Sequence, residues 1–322
     1  MSRSLDDPLD PNDRAESVIK RILLGLVEVL EANVAGARSG RDSECLHDLR
    51  VATRRTRSAL GQIKDLWPAE RVLAYQERFT WLQRVTGPMR DLDVYLLAFD
   101  GYRESLPDSL RPRLEPLRDF LISSQERERL VLAETLDSSE FQSLMRDWRA
   151  FLTAPASTDP VAANAGRPIK AVADERIRRL VKRVRREGRA IDRDSPPTQL
   201  HELRKSCKKL RYLIEFFGSL HPQEEIRAIL KPLKRLLDQL GAYQDLAVQA
   251  AHLEEIAERM GAESKASVGT LLAMGALIAD LLARRQAARD RFAESFAAFD
   301  ESAHWRRYKA LFWPSARDDG AA

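Results

Sequence analysis

A histidine followed by a row of basic side chains occurs twice in the chain, with an offset of 154 positions (201 − 47) between the two histidines. Guanidinium and ammonium groups donate charge-assisted hydrogen bonds to anionic oxygens, and imidazole joins them when it is protonated. The pattern therefore predicts recognition of a polyanion. The first row consists of His47, Arg50, Arg54, Arg55 and Arg57, and the second of His201, Arg204, Lys205, Lys208, Lys209 and Arg211.

Each row has the spacing of one face of an α-helix. At about 100° per residue, His47, Arg50 and Arg54 fall within a narrow arc, and leucines and threonines occupy the neighbouring face. Like charges four residues apart destabilise a helix by roughly 0.2–0.5 kcal/mol per pair. An anion, or carboxylates from another helix, is therefore expected to neutralise each row.

The same offset aligns a second pattern one helix further along, where Gly87 corresponds to Gly241 and Asp91 to Asp245. The two aspartates are interpreted as structural, either as helix caps or as partners of the arginines. Because the register holds from one pattern to the next without net insertion, the chain is interpreted as a tandem duplication.

The elements that must position these side chains are helices. Apolar residues recur at three- and four-residue spacing, and no convincing run alternates with period two, which predicts an all-α fold. Two antiparallel four-helix bundles from the tandem repeat, related by a pseudo-twofold axis, would turn both rows toward a shared groove. Helices are expected near residues 13–37, 44–66, 69–86, 89–104, 108–134, 139–152, 168–188, 198–219, 222–239, 243–260 and 264–300.

A segment rich in Ala, Pro, Ser, Thr and Asn, without amphipathic period, separates the two halves and is interpreted as a linker. The two halves together form one predicted domain over residues 14–305. The predicted divisions are a flexible N-terminus (1–13), a first half (14–152), the linker (153–167), a second half (168–305) and a C-terminal tail (306–322).

Composition narrows the class of protein. A length of 322 residues with 44% hydrophobic content allows a sizeable core, and the net charge of +4 is unevenly placed, which favours a polyanionic partner. The acidic start lacks the features of a secretory signal, so a cytoplasmic location is expected. The most apolar stretch, residues 268–283, is too short to span a membrane and is predicted to be a buried helix, and no membrane partner is expected.

The segments 47–60, 87–94, 201–212 and 240–245 together resemble the CHAD family, the conserved histidine α-helical domain, over roughly residues 14–305. The resemblance implies inorganic polyphosphate as the ligand, bound by basic residues of a central groove or pore that both repeats form. It also implies an association with polyphosphate granules, with granule-associated proteins as further partners. Thr56 stands where the family has an aliphatic residue, which affects local packing rather than binding.

Carried over residue by residue, the resemblance assigns polyphosphate contacts to both rows, and Lys205 is added because it lies beside its row. A third cationic stretch, residues 176–189, has little support from the first half and is interpreted either as an exposed basic face or as a further contact. No catalytic residue, metal or cofactor is expected. The candidates for secondary contacts are Lys20, Arg21, Arg90, Lys182, Arg183 and Lys234.

A metal-dependent phosphohydrolase is the enzyme alternative, because His47-Asp48 is a dipeptide that such enzymes use for metal binding. The second row has Glu202 after its histidine, and arginines rather than carboxylates fill the surrounding face. The strand signature of the triphosphate tunnel enzymes, with its alternating glutamates, is not present either. The chain is therefore interpreted as a binding module and not as an enzyme.

Nucleic-acid binding is the second alternative, since the same arginines could contact phosphates of any backbone. Single-strand binders interleave aromatic platforms with their cations, whereas the basic faces here hold only Tyr212. For either polyanion, we expect weaker binding with added salt, because the basic side chains release counterions condensed on the polyanion. We also expect tighter binding at lower pH, because histidine gains charge.

Overall fold

The computed structural model describes residues 8–40, 42–155 and 162–313, and within these ranges regular secondary structure is helical apart from an isolated β-bridge. The predicted all-α fold is confirmed. The helices are α1 (Ala15–Ser39), α2 (Ser43–Gln62), α3 (Ala69–Val85), α4 (Gly87–Glu104), α5 (Glu115–Asp137), α6 (Ser139–Thr153), α7 (Ile169–Arg189), α8 (Pro197–Phe217), α9 (Gln223–Ala262), α10 (Val268–Asp290), α11 (Phe292–Phe299) and α12 (Ser302–Phe312). Short 3-10 turns over Arg111–Leu114 and Gly218–Leu220 precede α5 and follow α8.

The helices of the second half begin at the offset seen in the sequence. α1, α2 and α3 begin at residues 15, 43 and 69, and α7, α8 and α9 begin at residues 169, 197 and 223, which is 154 positions later in each case. Pro68 and Pro222 stand immediately before α3 and α9. Proline cannot donate a backbone hydrogen bond, so it is tolerated at the start of a helix and sets the same start in both halves.

The two helices expected near 222–239 and 243–260 are wrong, because α9 runs through this region without a break. Its first-half counterpart is split into α3 and α4 at Thr86. Pro88 causes the split, since its ring clashes with the carbonyl of the preceding turn. The equivalent residue in the second half is Ala242, which continues the helix.

The C-terminal region also differs from the prediction. The helix expected near 264–300 is divided into α10 and α11 at Arg291. Residues 302–312, which were predicted to be the end of the domain and the start of the C-terminal tail, form α12. Tyr308 and Phe312 of α12 are buried in the core, so hydrophobic burial holds this helix against α7 and α9. The remainder of the predicted tail, residues 314–322, lies outside the described residues.

The predicted flexible N-terminus and linker are partly described. Of residues 1–13, the first seven lie outside the described residues, while the Asp13 carbonyl accepts a hydrogen bond from the Ile169 N–H at 2.9 Å. Arg14 forms the isolated β-bridge with Pro168. Residues 156–161 of the predicted linker also lie outside the described residues, but Asn164 bonds to the backbone of residues 64 and 65.

Two clusters of buried side chains form the core, and each draws on both halves. The larger joins Leu23, Leu49 and Trp148 of the first half with Leu203 and Leu236 of the second. The smaller joins α4 and α5 with α10 and the C-terminal part of α9. Because each cluster contains residues of both halves, the halves share their cores. The expected arrangement as two four-helix bundles related by a pseudo-twofold axis stays a prediction.

Helix α10 is less buried than predicted. Ala273, Leu277 and Leu281 are buried, but Val268 is 76% exposed and Leu272 is 60% exposed. Some apolar side chains of residues 268–283 therefore lie outside the face of α10 that packs on α9. Among the described helices, none is long and apolar enough to cross a membrane.

Candidate functional site: a basic groove between the repeats

A cavity of about 400 Å³ is lined by α2 and α4 of the first half and by α8 and α9 of the second. His47, Arg54 and Arg90 line it from the first half and His252 from the second. Four pairs of positions related by the repeat offset also line it together, namely Arg50 with Arg204, Asp91 with Asp245, Val94 with Val248 and Tyr95 with Gln249. The cavity therefore brings equivalent residues of both repeats to one place.

A second cavity of about 310 Å³ adjoins the first and lies mainly along α8 and α9. Lys208, Arg211, Tyr212 and Asp238 are among its lining residues. Both cavities are lined by Arg204 and Asp245, and together they form what we call the inter-repeat groove. The predicted residues that line this groove are His47, Arg50, Arg54, Arg90, Arg204, Lys208 and Arg211.

The two repeat histidines each contact the same position of the following helix pattern, but with different chemistry. His47 Nδ1 lies 3.0 Å from Arg90 Nη2, and His201 Nδ1 lies 3.2 Å from Gln244 Oε1. A guanidinium only donates, so His47 Nδ1 accepts and the ring carries its proton on Nε2. The amide oxygen of Gln244 instead accepts from Nδ1–H of His201. Of the two, only His201 can become imidazolium without giving up its hydrogen bond.

Arg50 holds the end of α3 in place. Its Nη1 donates to the Gln83 carbonyl at 2.8 Å and to the Thr86 hydroxyl at 2.9 Å. Carbonyls in the last turn of a helix lack intrahelical partners, and a cation there also interacts favourably with the helix dipole. Burial lowers the pKa of Arg50, and the nearby Asp91 carboxylate opposes that shift. Arg50 therefore serves the fold as well as lining the groove.

Its equivalent in the second half, Arg204, has a different partner. The second half has Leu240 in place of Thr86, so the hydroxyl acceptor is lost, and α9 continues past Leu237, so the carbonyl of Leu237 is not at a helix end as that of Gln83 is. Arg204 Nη2 instead donates to Asp245 Oδ1 at 3.1 Å. This bond agrees with the interpretation of Asp245 as the partner of an arginine.

Asp91 is the counterpart of that carboxylate in the first half. Burial raises the pKa of the Asp91 carboxyl, and the charges of Arg50, His252 and Arg90 only partly offset the shift. A carboxylate in this place reduces the excess of positive charge without removing it. Within the described residues, no group of three or more His, Cys, Asp and Glu side chains is placed to hold a metal ion.

Arg54 and Lys208 occupy equivalent positions and are the cations of the groove without partners. Neither makes a hydrogen bond or an ion pair with any described residue, and Arg54 Nε is buried without a partner. The pKa of Lys208 is lowered to about 8, first by burial and then by the charges of Arg204 and Arg54. Asp245 opposes this shift, and Arg211 adds to it. These two residues are where the repulsion expected from the sequence remains.

The remaining arginines of the two rows, Arg57, Arg211 and Arg55, differ in their contacts. Arg57 has no partner among the described residues, and burial lowers its pKa. Arg211 Nε donates to Glu215 at 2.7 Å, while Arg55 lies 5.3 Å from the ring centroid of Phe216. Arg55 thus packs across the α2–α8 contact and not on the lining of the groove.

Lys205 and Lys209 point away from the groove. Lys205 pairs with Glu202 at 2.7 Å on the exposed side of α8. The pKa of Lys209 is lowered by burial and then by the charge of Arg183, which lies on α7. Neither lysine is among the residues that line the two cavities, so the structure does not bring them to the groove with the rest of their row.

Among the secondary candidates, Arg90 lines the groove and the others lie elsewhere. Lys20 is buried, and its ammonium lies 3.0 Å from both the Glu16 carboxylate and the Ala154 carbonyl, so it stabilises the fold. Arg21 pairs with Asp13, Arg183 pairs with Glu187, Lys182 lies over the Trp313 ring, and Lys234 is exposed on α9.

The third cationic stretch, on α7, is largely neutralised inside the structure. Arg185 and Arg189 both pair with Asp300, at 2.5 and 2.6 Å. Arg178 donates to the Phe312 carbonyl at 2.6 Å, and Arg179 pairs with Glu175. Most of these cations therefore fix α7 against the C-terminal helices or pair along α7 itself, but Lys182, Arg185, Arg186 and Arg189 also line a cavity of about 500 Å³ beside Trp305, so the stretch stays a candidate for a further contact.

Several polar groove residues were missed from the sequence, among them Asp238 and three that lie further along α4 and α9. Tyr95, Gln249 and His252 continue the helical face that starts at Asp91 and Asp245, so extending the three- and four-residue spacing by two turns would have found them. The Tyr95 hydroxyl lies 3.4 Å from the Gln249 carbonyl, and its ring lies 5.1 Å from that of His252.

Binding of an anion to the groove is expected to weaken above pH 8. A nearby anion favours the ammonium form of Lys208, whose pKa in the free protein is about 8, so binding takes up a proton at higher pH. The affinity should fall by up to about tenfold per pH unit above pH 8. Titrations between pH 7 and 10 with Lys208→Arg as the matched variant test this, because arginine stays charged throughout. An equally steep fall in Lys208→Arg would contradict it.

A family model described as the CHAD domain matches residues 21–254. The crystal structure of the CHAD domain from the plant Ricinus communis is 26% identical with a TM-score of 0.74, and the match covers 91% of this chain and 94% of that chain. PptA from Streptomyces chartreusis is 17% identical with a TM-score of 0.65, over 88% of this chain and 99% of that chain, which is a likeness of fold.

Two curated relatives come from Mycobacterium tuberculosis, one from strain CDC 1551 / Oshkosh and one from strain ATCC 25618 / H37Rv, and both are named as uncharacterized proteins. Each is 26% identical over 289 residues, which is 85% of this chain and 51% of the relative. The chain thus spans about half the length of the curated relatives it matches.

Proposed function

The chain belongs to the CHAD-domain family, and from this premise we propose that it binds inorganic polyphosphate, without catalysis, in the inter-repeat groove. The observation that carries the proposal is the convergence of cations from both repeats on the inter-repeat groove, where Arg54 and Lys208 have no hydrogen-bond or ion-pair partner among the described residues. An unpaired, partly buried cation costs free energy in the free protein. An anionic ligand relieves that cost, so the groove is built to receive negative charge.

The balance of charge in the groove supports a polymeric anion. Its lining contains six Arg and Lys side chains against three carboxylates: Arg50, Arg54, Arg90, Arg204, Lys208 and Arg211 against Asp91, Asp238 and Asp245. The excess is spread over both cavities, so an anion with several charges in a row fits it better than a single phosphate. Polyphosphate offers only phosphate oxygens, which guanidinium and ammonium groups recognise without an aromatic platform.

We also propose that the two repeats form one composite site around a pseudo-twofold axis. Arg14 bridges to Pro168 and Tyr95 contacts Gln249, and each pair is separated by the repeat offset of 154. In an object with twofold symmetry, equivalent residues meet only on the axis. Loss of groove cations from either repeat should therefore weaken the same binding event. A cytoplasmic location on polyphosphate granules, with granule-associated proteins as partners, belongs to the same proposal.

Titration of the protein with polyphosphate at increasing salt tests the electrostatic basis. If roughly four to six cations each release condensed counterions, the logarithm of the affinity should fall with the logarithm of salt concentration with a slope of about −3 to −4. A flat response would overturn the proposal. Competition against single-stranded DNA or RNA at equal phosphate concentration decides between polyanions, since displacement of polyphosphate by nucleic acid would favour the nucleic-acid alternative.

A further inference from the structure

Lys208 combines three properties, of which the binding proposal uses only the first two. Its amine lines a cavity of about 310 Å³, and it makes no hydrogen bond or ion pair with any described residue. Its pKa of about 8 leaves a substantial fraction of the amine neutral at physiological pH, which is the nucleophilic form. By contrast, Lys205 one turn earlier is exposed and paired with Glu202, so its charge is stabilised.

The surroundings of the Lys208 amine are suited to a small phosphate-bearing molecule. Arg204 and Arg211 line the same cavity on either side of it along α8. Each has one nitrogen bonded to a carboxylate, Arg204 Nη2 to Asp245 and Arg211 Nε to Glu215. Their remaining N–H groups can hold phosphate oxygens, because a guanidinium has five donors.

We propose that Lys208 is a site of acylation by small acyl phosphates, and that this modification lowers the affinity of the groove for polyphosphate. Arg204 and Arg211 hold the phosphate of the acyl phosphate, which brings its carbonyl carbon to the amine. The nitrogen lone pair attacks that carbon, an amide bond forms, the bond between carbon and the bridging oxygen breaks, and inorganic phosphate leaves. The amine loses one proton to solvent, and no oxidant or reductant is needed.

The expected rate advantage of Lys208 over other lysines comes from proximity. Holding an electrophile beside a neutral amine replaces a bimolecular encounter by a reaction within a complex. The product amide carries no positive charge, so acylation removes one of the two groove cations without partners. The consequence for ligand affinity rests on the proposed function, whereas the acylation itself rests on the cavity, the neighbouring arginines and the lowered pKa of Lys208.

The test is incubation of the intact protein with acetyl phosphate, followed by mass spectrometry of peptides to measure the rate at each lysine. Lys208 should react at least tenfold faster than Lys205, and inorganic phosphate should slow Lys208 selectively. In Arg204→Gln/Arg211→Gln the advantage of Lys208 should be lost, with circular dichroism confirming the fold. Equal rates at the two lysines, or no competition by phosphate, would overturn the proposal.

A parallel titration separates this inference from the proposed function. If Lys208 reacts selectively and acetylated protein binds polyphosphate at least tenfold more weakly, both statements are supported. Selective acetylation in a protein that does not bind polyphosphate would overturn the proposed function and the effect on affinity, but not the acylation site. Tight polyphosphate binding without selective acetylation would overturn the acylation site alone.

Discussion

An Arg54→Gln/Lys208→Gln variant is expected to bind polyphosphate at least a hundredfold more weakly than the wild type. Within the part of the chain that the structure describes, these two side chains have no hydrogen-bond or ion-pair partner, so their donors are available to the ligand at no cost to another bond. A hydrogen bond to a charged group contributes roughly 1.5–3 kcal/mol, and two such bonds amount to two or more orders of magnitude in affinity. Isothermal titration with a polyphosphate of defined length measures the loss.

The matched control for this variant is Arg21→Gln/Lys205→Gln. It removes the same two charges from places outside the groove, where Arg21 pairs with Asp13 and Lys205 with Glu202. Its affinity should stay within about threefold of the wild type, because exposed ion pairs contribute little. Equal losses in the two double variants would show that net charge and not the groove determines binding. The single variants Arg54→Gln and Lys208→Gln then show whether both repeats contribute to one site.

Lys208→Met is expected to make the protein more stable at pH 7 while it weakens binding. The pKa of Lys208 is about 8 in the folded protein against an ordinary value of 10.5, so folding disfavours its charged form. That difference corresponds to about 3 kcal/mol, and partial exposure reduces the expected gain in the free energy of unfolding to roughly 1–2 kcal/mol. Methionine keeps most of the apolar stem of the lysine. Urea denaturation measures the difference.

The pH dependence of this gain has a defined sign. Below pH 8 the amine is charged in both states and its full cost is present, whereas above 10.5 it is neutral in both. The gain from Lys208→Met should therefore be largest at pH 7 and should shrink as the pH rises from 8 to 10.5. Lys205→Met is the control and should change stability little. A destabilised Lys208→Met variant would show that the amine has a favourable partner after all.

The fold class and most of the groove could be read from residue spacing. The period of apolar residues predicted helices, and the repeat offset predicted that His47 and His201, or Arg54 and Lys208, occupy equivalent places. The same offset compared residue by residue would have shown that the second half has Ala242 in place of Pro88, so the break between α3 and α4 need not recur there, and α9 continues even with Pro232 inside it. The position of helix α12 could not be predicted from residue spacing, because it depends on the contact of Tyr308 and Phe312 with a core formed by distant segments.

What the sequence alone determined is which side chains share a helical face, because that depends only on the geometry of the helix. What only the tertiary structure decided is which cations are left for a ligand. Arg50 is bonded to the end of α3, the cations of α7 are largely engaged in internal ion pairs and backbone contacts, and Lys208 has no partner among the described residues. Those outcomes depend on carboxylates and carbonyls brought from far along the chain, and local spacing carries no information about such distances.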